Sequence, residues 1–214
     1  MKECVLDQAR FHAALDHLGA RDPALAALRE RHGTPLLWPR PPGFASLLRI
    51  VIEQQVSLAS ARAVFHRLQT LTGSLTPRGL LALTPEQLRA SGLSRQKAAY
   101  CVELAQAVTE RRLDLDAVAG LPDEAARTAL LAVKGIGRWT ADVYLLMALR
   151  RADVWPAGDL GLAVAVQELR RLPTRPGPSE LEALGAPWRP WRGAAAWLLW
   201  HGYLRNRGLA APGQ

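Results

Sequence analysis

Apolar residues recur at helical spacing along most of this chain, and that spacing limits the fold more than any other feature. The clearest run contains Phe44, Leu47, Leu48, Val51 and Ile52, which share one face of a helix. Alternation of apolar and polar residues with period two is not sustained, and no internal repeat is evident. The sequence therefore predicts an all-α protein of about ten helices.

Capping residues and glycines set the predicted helix ends. Asp22 and Pro23 open a helix that closes at Gly33, and a capping box begins at Thr84. Further helices are predicted at 44–54, 58–70, 94–111, from 123 to about 133, at 138–150, at 159–170 and around 197–203. Residues 34–43 form a proline-rich connector, and residues 171–178 form a loop. We take residues 1–40 as an N-terminal segment and 41–214 as the core.

Charge and cysteine content narrow the class of protein. The chain has 214 residues, a net charge of +8 and 27 basic residues, of which only Lys2, Lys97 and Lys134 are lysines. Arginine suits phosphate, so the charge indicates a polyanionic partner, although a compositional bias would give the same excess. Cys4 and Cys101 are too few for a zinc site or an iron–sulfur cluster. No apolar run is long enough for a membrane span, and no signal peptide is evident, so we expect a cytoplasmic protein.

Residues 130–142 (Leu-Leu-Ala-Val-Lys-Gly-Ile-Gly-Arg-Trp-Thr-Ala-Asp) predict two helices joined by a tight hairpin. Gly135 and Gly137 leave backbone N–H groups able to approach an anion, and the helix that starts at Arg138 points its positive end the same way. A dinucleotide-binding loop is excluded because Thr140 replaces its third glycine and no strand precedes it. A plain turn between helices is the structural alternative.

A lone carboxylate follows the hairpin. In Pro156-Ala-Gly-Asp159, the aspartate stands at the start of an apolar helix, twenty residues beyond Trp139. By position alone Asp159 is a helix N-cap, and this role is compatible with a chemical one because the positive end of a helix also favours a carboxylate.

The hairpin and this aspartate loop, with Ile50–Ser57 and the Trp188–Arg192 element, resemble the helix–hairpin–helix (HhH-GPD) DNA glycosylase superfamily. The similarity extends roughly from Pro39 to Arg205 and is greatest to the 3-methyladenine DNA glycosylase II (AlkA-like) branch. It implies two helical lobes with an active-site cleft between them. Because the residues before Pro41 have a helical pattern, we expect the compact form without an N-terminal β domain.

The resemblance implies a monomeric, nucleoid-associated base-excision repair enzyme that flips alkylated bases out of double-stranded DNA and hydrolyses the N-glycosidic bond. Asp159 matches the catalytic aspartate, which stabilises oxocarbenium character on the sugar and orients or deprotonates water. A base alkylated on a ring nitrogen is already cationic and leaves without a second acid. Trp139 occupies the position where lyases of the superfamily carry their Schiff-base lysine, and Lys134 is a poor substitute. The expected enzyme is monofunctional and leaves an abasic site.

Three residues are expected to line the base pocket. Trp139 and Trp200 match family positions on opposite sides of the flipped base, whereas Trp197 is interpreted as core. Val143 stands where some relatives have an aromatic residue. Either it widens the pocket, so that adducts larger than 3-methyladenine and 7-methylguanine enter, or it is an ordinary core valine.

The remaining expectations concern DNA contacts. Gln55 matches the residue that fills the gap left by the flipped base, or else it is an amide cap at a helix end. Phosphate contacts are expected from Lys134, Gly135, Gly137, Arg138 and Thr140. By resemblance, the main-chain carbonyls of Leu131, Val133 and Ile136 hold a Na⁺ or K⁺ ion, and no other cofactor is required.

Two other functions remain open at this point. One is a bifunctional glycosylase/AP lyase, which Trp139 and the missing cluster cysteines disfavour. The other is a non-catalytic helix–hairpin–helix DNA-binding module, which would have no use for Asp159 and the paired tryptophans.

Overall fold

The computed structural model describes residues 4–209 and confirms the all-α class. The thirteen α-helices of this range are α1 (Gln8–Arg21), α2 (Pro23–His32), α3 (Phe44–Glu53), α4 (Leu58–Thr72), α5 (Pro77–Leu81), α6 (Pro85–Ala90), α7 (Arg95–Thr109), α8 (Leu115–Gly120), α9 (Asp123–Leu131), α10 (Arg138–Met147), α11 (Leu160–Arg170), α12 (Pro178–Gly185) and α13 (Arg192–Asn206). A 3-10 turn covers Ala186–Trp188. The β pairing within residues 4–209 is a single antiparallel bridge between Val5 and Arg151.

Local signals set most helix starts. The side chain of Asp22 accepts from the Ala24 N–H at 3.1 Å, and that of Ser57 accepts from the Ser60 N–H at 3.2 Å. Both hydrogen bonds of the Thr84 capping box are present. Helices α5, α8 and α12 were not predicted, because one or two turns are too short to display helical periodicity. The predicted helix 138–150 ends earlier, at Met147.

The chain divides into two compact units, one made of residues up to 39 together with those from 145 onward, the other of residues 40–144. The predicted division into segment 1–40 and core 41–214 is corrected accordingly. Asp22 shows the reason, because its carboxylate accepts hydrogen bonds from Arg170 at 3.2 Å and from the Trp188 indole at 2.8 Å. Burial raises the pKa of Asp22, but the Arg170 and Trp188 hydrogen bonds outweigh it and the net pKa is lowered.

The first unit, which holds the chain ends, is built around α13. Residues 193–200 of α13 are buried, and α2 and α11 pack against this helix. The Trp155 ring meets the Trp188 ring edge to face, with centroids 5.3 Å apart, and the Trp155 indole donates to the Leu181 carbonyl at 3.0 Å. Trp188 is therefore held by its packing on Trp155 and by its hydrogen bond to Asp22.

The second unit, residues 40–144, is built around α3. The apolar face of α3 is buried against α4 and α7, as its periodicity predicts. At the start of α3 the Gly43 N–H donates to the Tyr144 hydroxyl at 3.0 Å. At its end the Glu53 carboxylate is paired with Arg40 at 2.8 Å and with Arg49 at 3.2 Å. The end of α3 is therefore fixed in place, and the next turn begins from it.

None of the helices among residues 4–209 combines the length and apolar character needed to cross a bilayer.

Candidate active site and DNA interface

The hairpin between α9 and α10 has two glycines with different surroundings. Gly135 adopts a φ of +95°, and a Cβ there would overlap the ring of Tyr100 on α7. Gly137 has an ordinary φ, is exposed, and has open space where its Cβ would be. Ile136, buried between the two, anchors the hairpin to its own unit. The fold therefore requires Gly135, whereas nothing within the described residues restricts the side chain at Gly137.

We expect alanine at these two positions to separate folding from DNA binding. Gly135→Ala should lower the free energy of unfolding by about 2 to 3 kcal/mol, from left-handed strain and overlap with Tyr100. Gly137→Ala should change it by less than about 1 kcal/mol yet weaken duplex binding about tenfold, because a methyl group would hinder approach of the DNA backbone. Thermal melts and fluorescence-anisotropy titrations measure both effects. Tight binding by a well-folded Gly137→Ala protein would contradict this use of the hairpin.

A buried ion pair joins the two helices of the hairpin. Arg127 on α9 donates through Nε to Oδ1 of Asp142 on α10 at 2.6 Å, and Asp142 is only 1% exposed. Burial lowers the pKa of Arg127, but the hydrogen bond and charge of Asp142, with Glu124, outweigh it and the net pKa is raised. This pair could not be predicted from the sequence, since an Arg and an Asp on two successive helices leave no local signal.

Basic side chains flank the hairpin on both sides. Lys134 and Arg138 are exposed, and Arg138 lies at the positive N-terminal end of α10. The Arg138 Nε is 3.6 Å from Oδ2 of Asp142, so the guanidinium lies beside this carboxylate while most of the side chain stays in solvent. Both side chains are accessible, and their phosphate contacts stay predictions.

The structure corrects the predicted phosphate contact of Thr140. It is 1% exposed, and its hydroxyl accepts a hydrogen bond at 2.8 Å from the Gln54 side chain. The Thr140 hydroxyl, in the first turn of α10, therefore points into its own unit instead of toward a phosphate. Gln54, for which the sequence analysis predicts no role, also donates to the Gly135 carbonyl at 2.9 Å.

The carbonyls predicted to hold a monovalent cation belong to the same hairpin. The Val133 carbonyl accepts the Ile136 N–H at 3.1 Å, which leaves it one further lone pair. Backbone carbonyls of this kind are the ligands that K⁺ takes in proteins. The residues are compatible with the ion, and the role of Leu131, Val133 and Ile136 stays a prediction.

Gln55 lies at the tip of the turn between α3 and α4. It is exposed and adopts a left-handed φ of 54°, and its side chain makes no hydrogen bond to the part of the chain that the structure describes. Ser57, not Gln55, caps the start of α4, and Gln54 occupies the C-cap of α3. The alternative of an amide cap at Gln55 is therefore not realised, and the side chain is presented to solvent as a wedge requires.

Asp159 caps α11 in the unit that holds the chain ends. Its Oδ1 accepts the Leu162 N–H at 2.8 Å and the Trp200 indole N–H at 2.9 Å. The residue is half-buried, and Gly161 lies beside it, where a Cβ would be 3.3 Å from Oδ1 and 3.6 Å from Tyr203. Two donors on one oxygen fix the plane of the carboxylate. The structure thus confirms the cap, and the chemical role of Asp159 stays a prediction.

Trp200, which donates to Asp159, packs in a row with two further tryptophan rings. Trp200 is 9% exposed, and its ring meets Trp197 edge to face with centroids 6.1 Å apart. Trp197 meets Trp38 of the proline-rich connector in the same manner, at 4.6 Å. Trp197 is fully buried, as predicted for a core residue. The structure shows Trp200 orienting Asp159, a role that sequence reasoning did not assign, and its role as a pocket wall stays a prediction.

The remaining pocket candidates lie on α10, in the other unit. Trp139 is half-buried in the first turn, and Val143 follows one turn later on the same face. Val143 is 4% exposed, which fits a core valine as well as a buried wall. Lys134 precedes the hairpin, and Trp139 supplies no amine at the lyase position.

The chain matches the HhH-GPD superfamily base excision DNA repair proteins over residues 48–190. The DNA-3-methyladenine glycosylase 1 of Schizosaccharomyces pombe is 32% identical over 161 residues, which cover 73% of this chain and 71% of the relative. The alkylbase DNA glycosidase-like protein mag2 of the same yeast is 26% identical over 197 residues, covering 89% of this chain and 92% of that protein.

Solved structures agree with this result. The S. pombe 3-methyladenine DNA glycosylase in complex with abasic DNA is similar with a TM-score of 0.84 and 29% identity, covering 94% of this chain and 100% of that one. The match over residues 48–190 includes both the hairpin and Asp159. The chain belongs to the HhH-GPD superfamily of base excision DNA repair proteins.

Proposed function

We propose that this repair protein is a monofunctional DNA glycosylase that removes alkylated bases, 3-methyladenine and 7-methylguanine among them, from double-stranded DNA. The observation that carries the proposal is the Asp159 carboxylate, fixed by the N-terminus of α11 and by the Trp200 indole. The names of its relatives, which are 3-methyladenine glycosylases, support the substrate class.

The chemistry follows from one carboxylate. As the bond between C1′ and the base nitrogen breaks, positive charge develops on the sugar, and Asp159 stabilises that charge. Water forms the new C1′–O bond and gives up a proton, with Asp159 as the base that orients or accepts it. The departing alkylated base takes the bonding electron pair and loses its positive charge. No general acid is needed for such a leaving group, whereas most glycosidases use two carboxyl groups.

Base release from single-lesion duplexes tests this proposal. The purified protein should leave alkali-labile abasic sites in duplexes that contain 7-methylguanine or 3-methyladenine, with no strand cleavage before alkali treatment. Borohydride should trap no covalent adduct, because Trp139 cannot form a Schiff base. A trapped adduct would establish the bifunctional alternative, and duplex binding without base release would establish the non-catalytic one. Activity in excess EDTA, with and without K⁺, tests whether any cofactor beyond the hairpin cation is needed.

Trp200→Phe should slow base release about tenfold while keeping the ring, because the donor to Oδ1 of Asp159 is lost. Trp197→Phe is the matched control, since the buried Trp197 indole N–H has no hydrogen-bond partner among residues 4–209. Single-turnover rates at saturating protein report the change. Equal rates for the two variants would show that the Trp200 hydrogen bond does not contribute to chemistry.

Substrate breadth is proposed to depend on Val143. Val143→Tyr adds an aromatic ring one turn after Trp139, so release of bulky etheno adducts should fall about tenfold more than release of 3-methyladenine. The measurement is the ratio of kcat/KM values over a panel of lesions. If Val143→Tyr kept the wild-type ratio for every lesion, large and small, the valine would be an ordinary core residue.

A further inference from the structure

Gln54 connects the turn that presents Gln55 to both sides of the hairpin. Its side-chain amide donates to the Gly135 carbonyl at 2.9 Å and to the Thr140 hydroxyl at 2.8 Å. A side-chain amide has two N–H donors, so both are used on the hairpin. The two acceptors lie on either side of Gly137 in the sequence, and a shift of the turn relative to the hairpin would break both bonds.

Lys97 holds the same turn from α7. Its ammonium group donates to the Ile52 carbonyl at 2.6 Å and to the Gln54 carbonyl at 2.5 Å. These carbonyls lie at the C-terminal end of α3, where a positive charge is favourable. Burial lowers the pKa of Lys97, and a smaller electrostatic effect of Cys101 raises it. The net pKa is lowered because the ammonium group loses part of its hydration at the turn.

Gln55, which lies between Gln54 and α4, has a strained backbone. Gln55 follows Gln54 directly and adopts the left-handed φ of 54°, which is unfavourable for a non-glycine residue and persists where its surroundings enforce it. The hydrogen bonds of Gln54 and Lys97 hold the side chain and the carbonyl of the residue that precedes it. The exposed Gln55 therefore has a fixed place relative to the hairpin.

We propose that Gln54 and Lys97 are positioning residues that lock the turn carrying Gln55 onto the phosphate-binding hairpin. Gripping the DNA backbone and filling the gap left by the extruded base then occur as one step. This inference rests on the proposed glycosylase function and deepens it, because it assigns to residues outside the base pocket the coupling between phosphate contact and base extrusion.

The test compares the same lesion in two contexts. Gln54→Leu keeps the size of the side chain and removes both donors. On a fully paired duplex it should slow single-turnover base release about 30-fold, because extrusion is the costly step. On a duplex in which the lesion is a single-nucleotide bulge, already largely unstacked, the loss should be less than about threefold. Affinity for undamaged duplex should stay within about threefold of wild type, since the backbone contacts remain.

Two further variants keep the result interpretable. Lys97→Met removes the hydrogen bonds that hold the turn from α7, and it should show the same difference between paired and bulged substrates. It replaces Gln54→Leu as the test if that variant folds poorly. Adding Gln54→Leu to Gln55→Ala should cost little beyond Gln55→Ala alone, because both act on one step. Gln69→Ala on the exposed face of α4 is the matched control and should behave as wild type.

Each outcome decides between the two proposals. An equal loss on paired and bulged substrates, or additive effects with Gln55→Ala, would overturn the positioning role and leave a merely structural one. Unchanged extrusion by Gln54→Leu, while the wild-type protein releases bases, would overturn this inference and leave the proposed function intact. Failure of the wild-type protein to release any base would instead overturn the proposed function.

Discussion

Asp159→Asn should abolish base release, with a fall in the single-turnover rate of about 1,000-fold or more, and leave the fold intact. The carboxylate charge that stabilises the developing oxocarbenium ion is lost, and removing one such electrostatic contact costs about 100- to 1,000-fold in well-studied enzymes. The loss of the water-activating base adds to it. An asparagine can still accept the Leu162 N–H and the Trp200 N–H, and it is as good an N-cap as aspartate.

The matched control for this variant is Asp114→Asn. Asp114 caps α8 by accepting from the backbone N–H groups of Asp116 and Ala117 at 3.0 and 2.9 Å. Both variants should melt within about 2 °C of wild type, because capping is preserved. Duplex binding should also be kept in both, so that the rate alone separates them. Normal base release by Asp159→Asn would show that this carboxylate is a cap and nothing more.

Asp142→Ala should lower the free energy of unfolding by about 3 kcal/mol, which for a chain of this length lowers Tm by about 6 to 12 °C. The substitution leaves the Arg127 guanidinium, 6% exposed, without its buried partner. This loss lies at the low end of the cost of breaking a buried pair, because Glu124 also contacts Arg127 and still compensates part of its charge.

Asp142→Ala should also lower the affinity for duplex DNA. The ion pair joins α9 to α10, and Asp142 also lies 3.6 Å from Arg138. We therefore expect duplex affinity to fall about tenfold at a temperature where the protein is still folded. Asp116→Ala on exposed α8 is the control for calorimetry and for anisotropy. Equal melting temperatures for the two variants would show that the Arg127 charge finds other compensation.

Helix starts and buried helix faces could be predicted from the sequence, because both depend on residues that lie close together in the chain. The starts of α2, α4, α6 and α11 follow from caps at Asp22, Ser57, Thr84 and Asp159, since an N-cap depends on residues within three positions of it. The burial of Trp197 and of the α3 face follows from helical spacing in the same way.

Long-range contacts explain what was missed. The grouping of the first 39 residues with the C-terminal part depends on Asp22 meeting Arg170 and Trp188, which are separated from it by 148 and 166 positions. Thr140 was expected to face phosphate because its partner Gln54 lies 86 positions away. Such pairs are fixed by packing in three dimensions, and no spacing rule reveals them.

The capping geometry of Asp159 has a practical consequence for screening variants of this protein. Thermal-shift screens rank substitutions by what they do to folding, and under the proposed function this position separates folding from chemistry. Asparagine and serine satisfy the end of α11 but carry no charge, whereas glutamate carries the charge on a longer side chain that caps helices poorly. A screen by melting temperature would therefore pass inactive proteins and flag the one substitution that retains a carboxylate, so variants at this position must be ranked by base release.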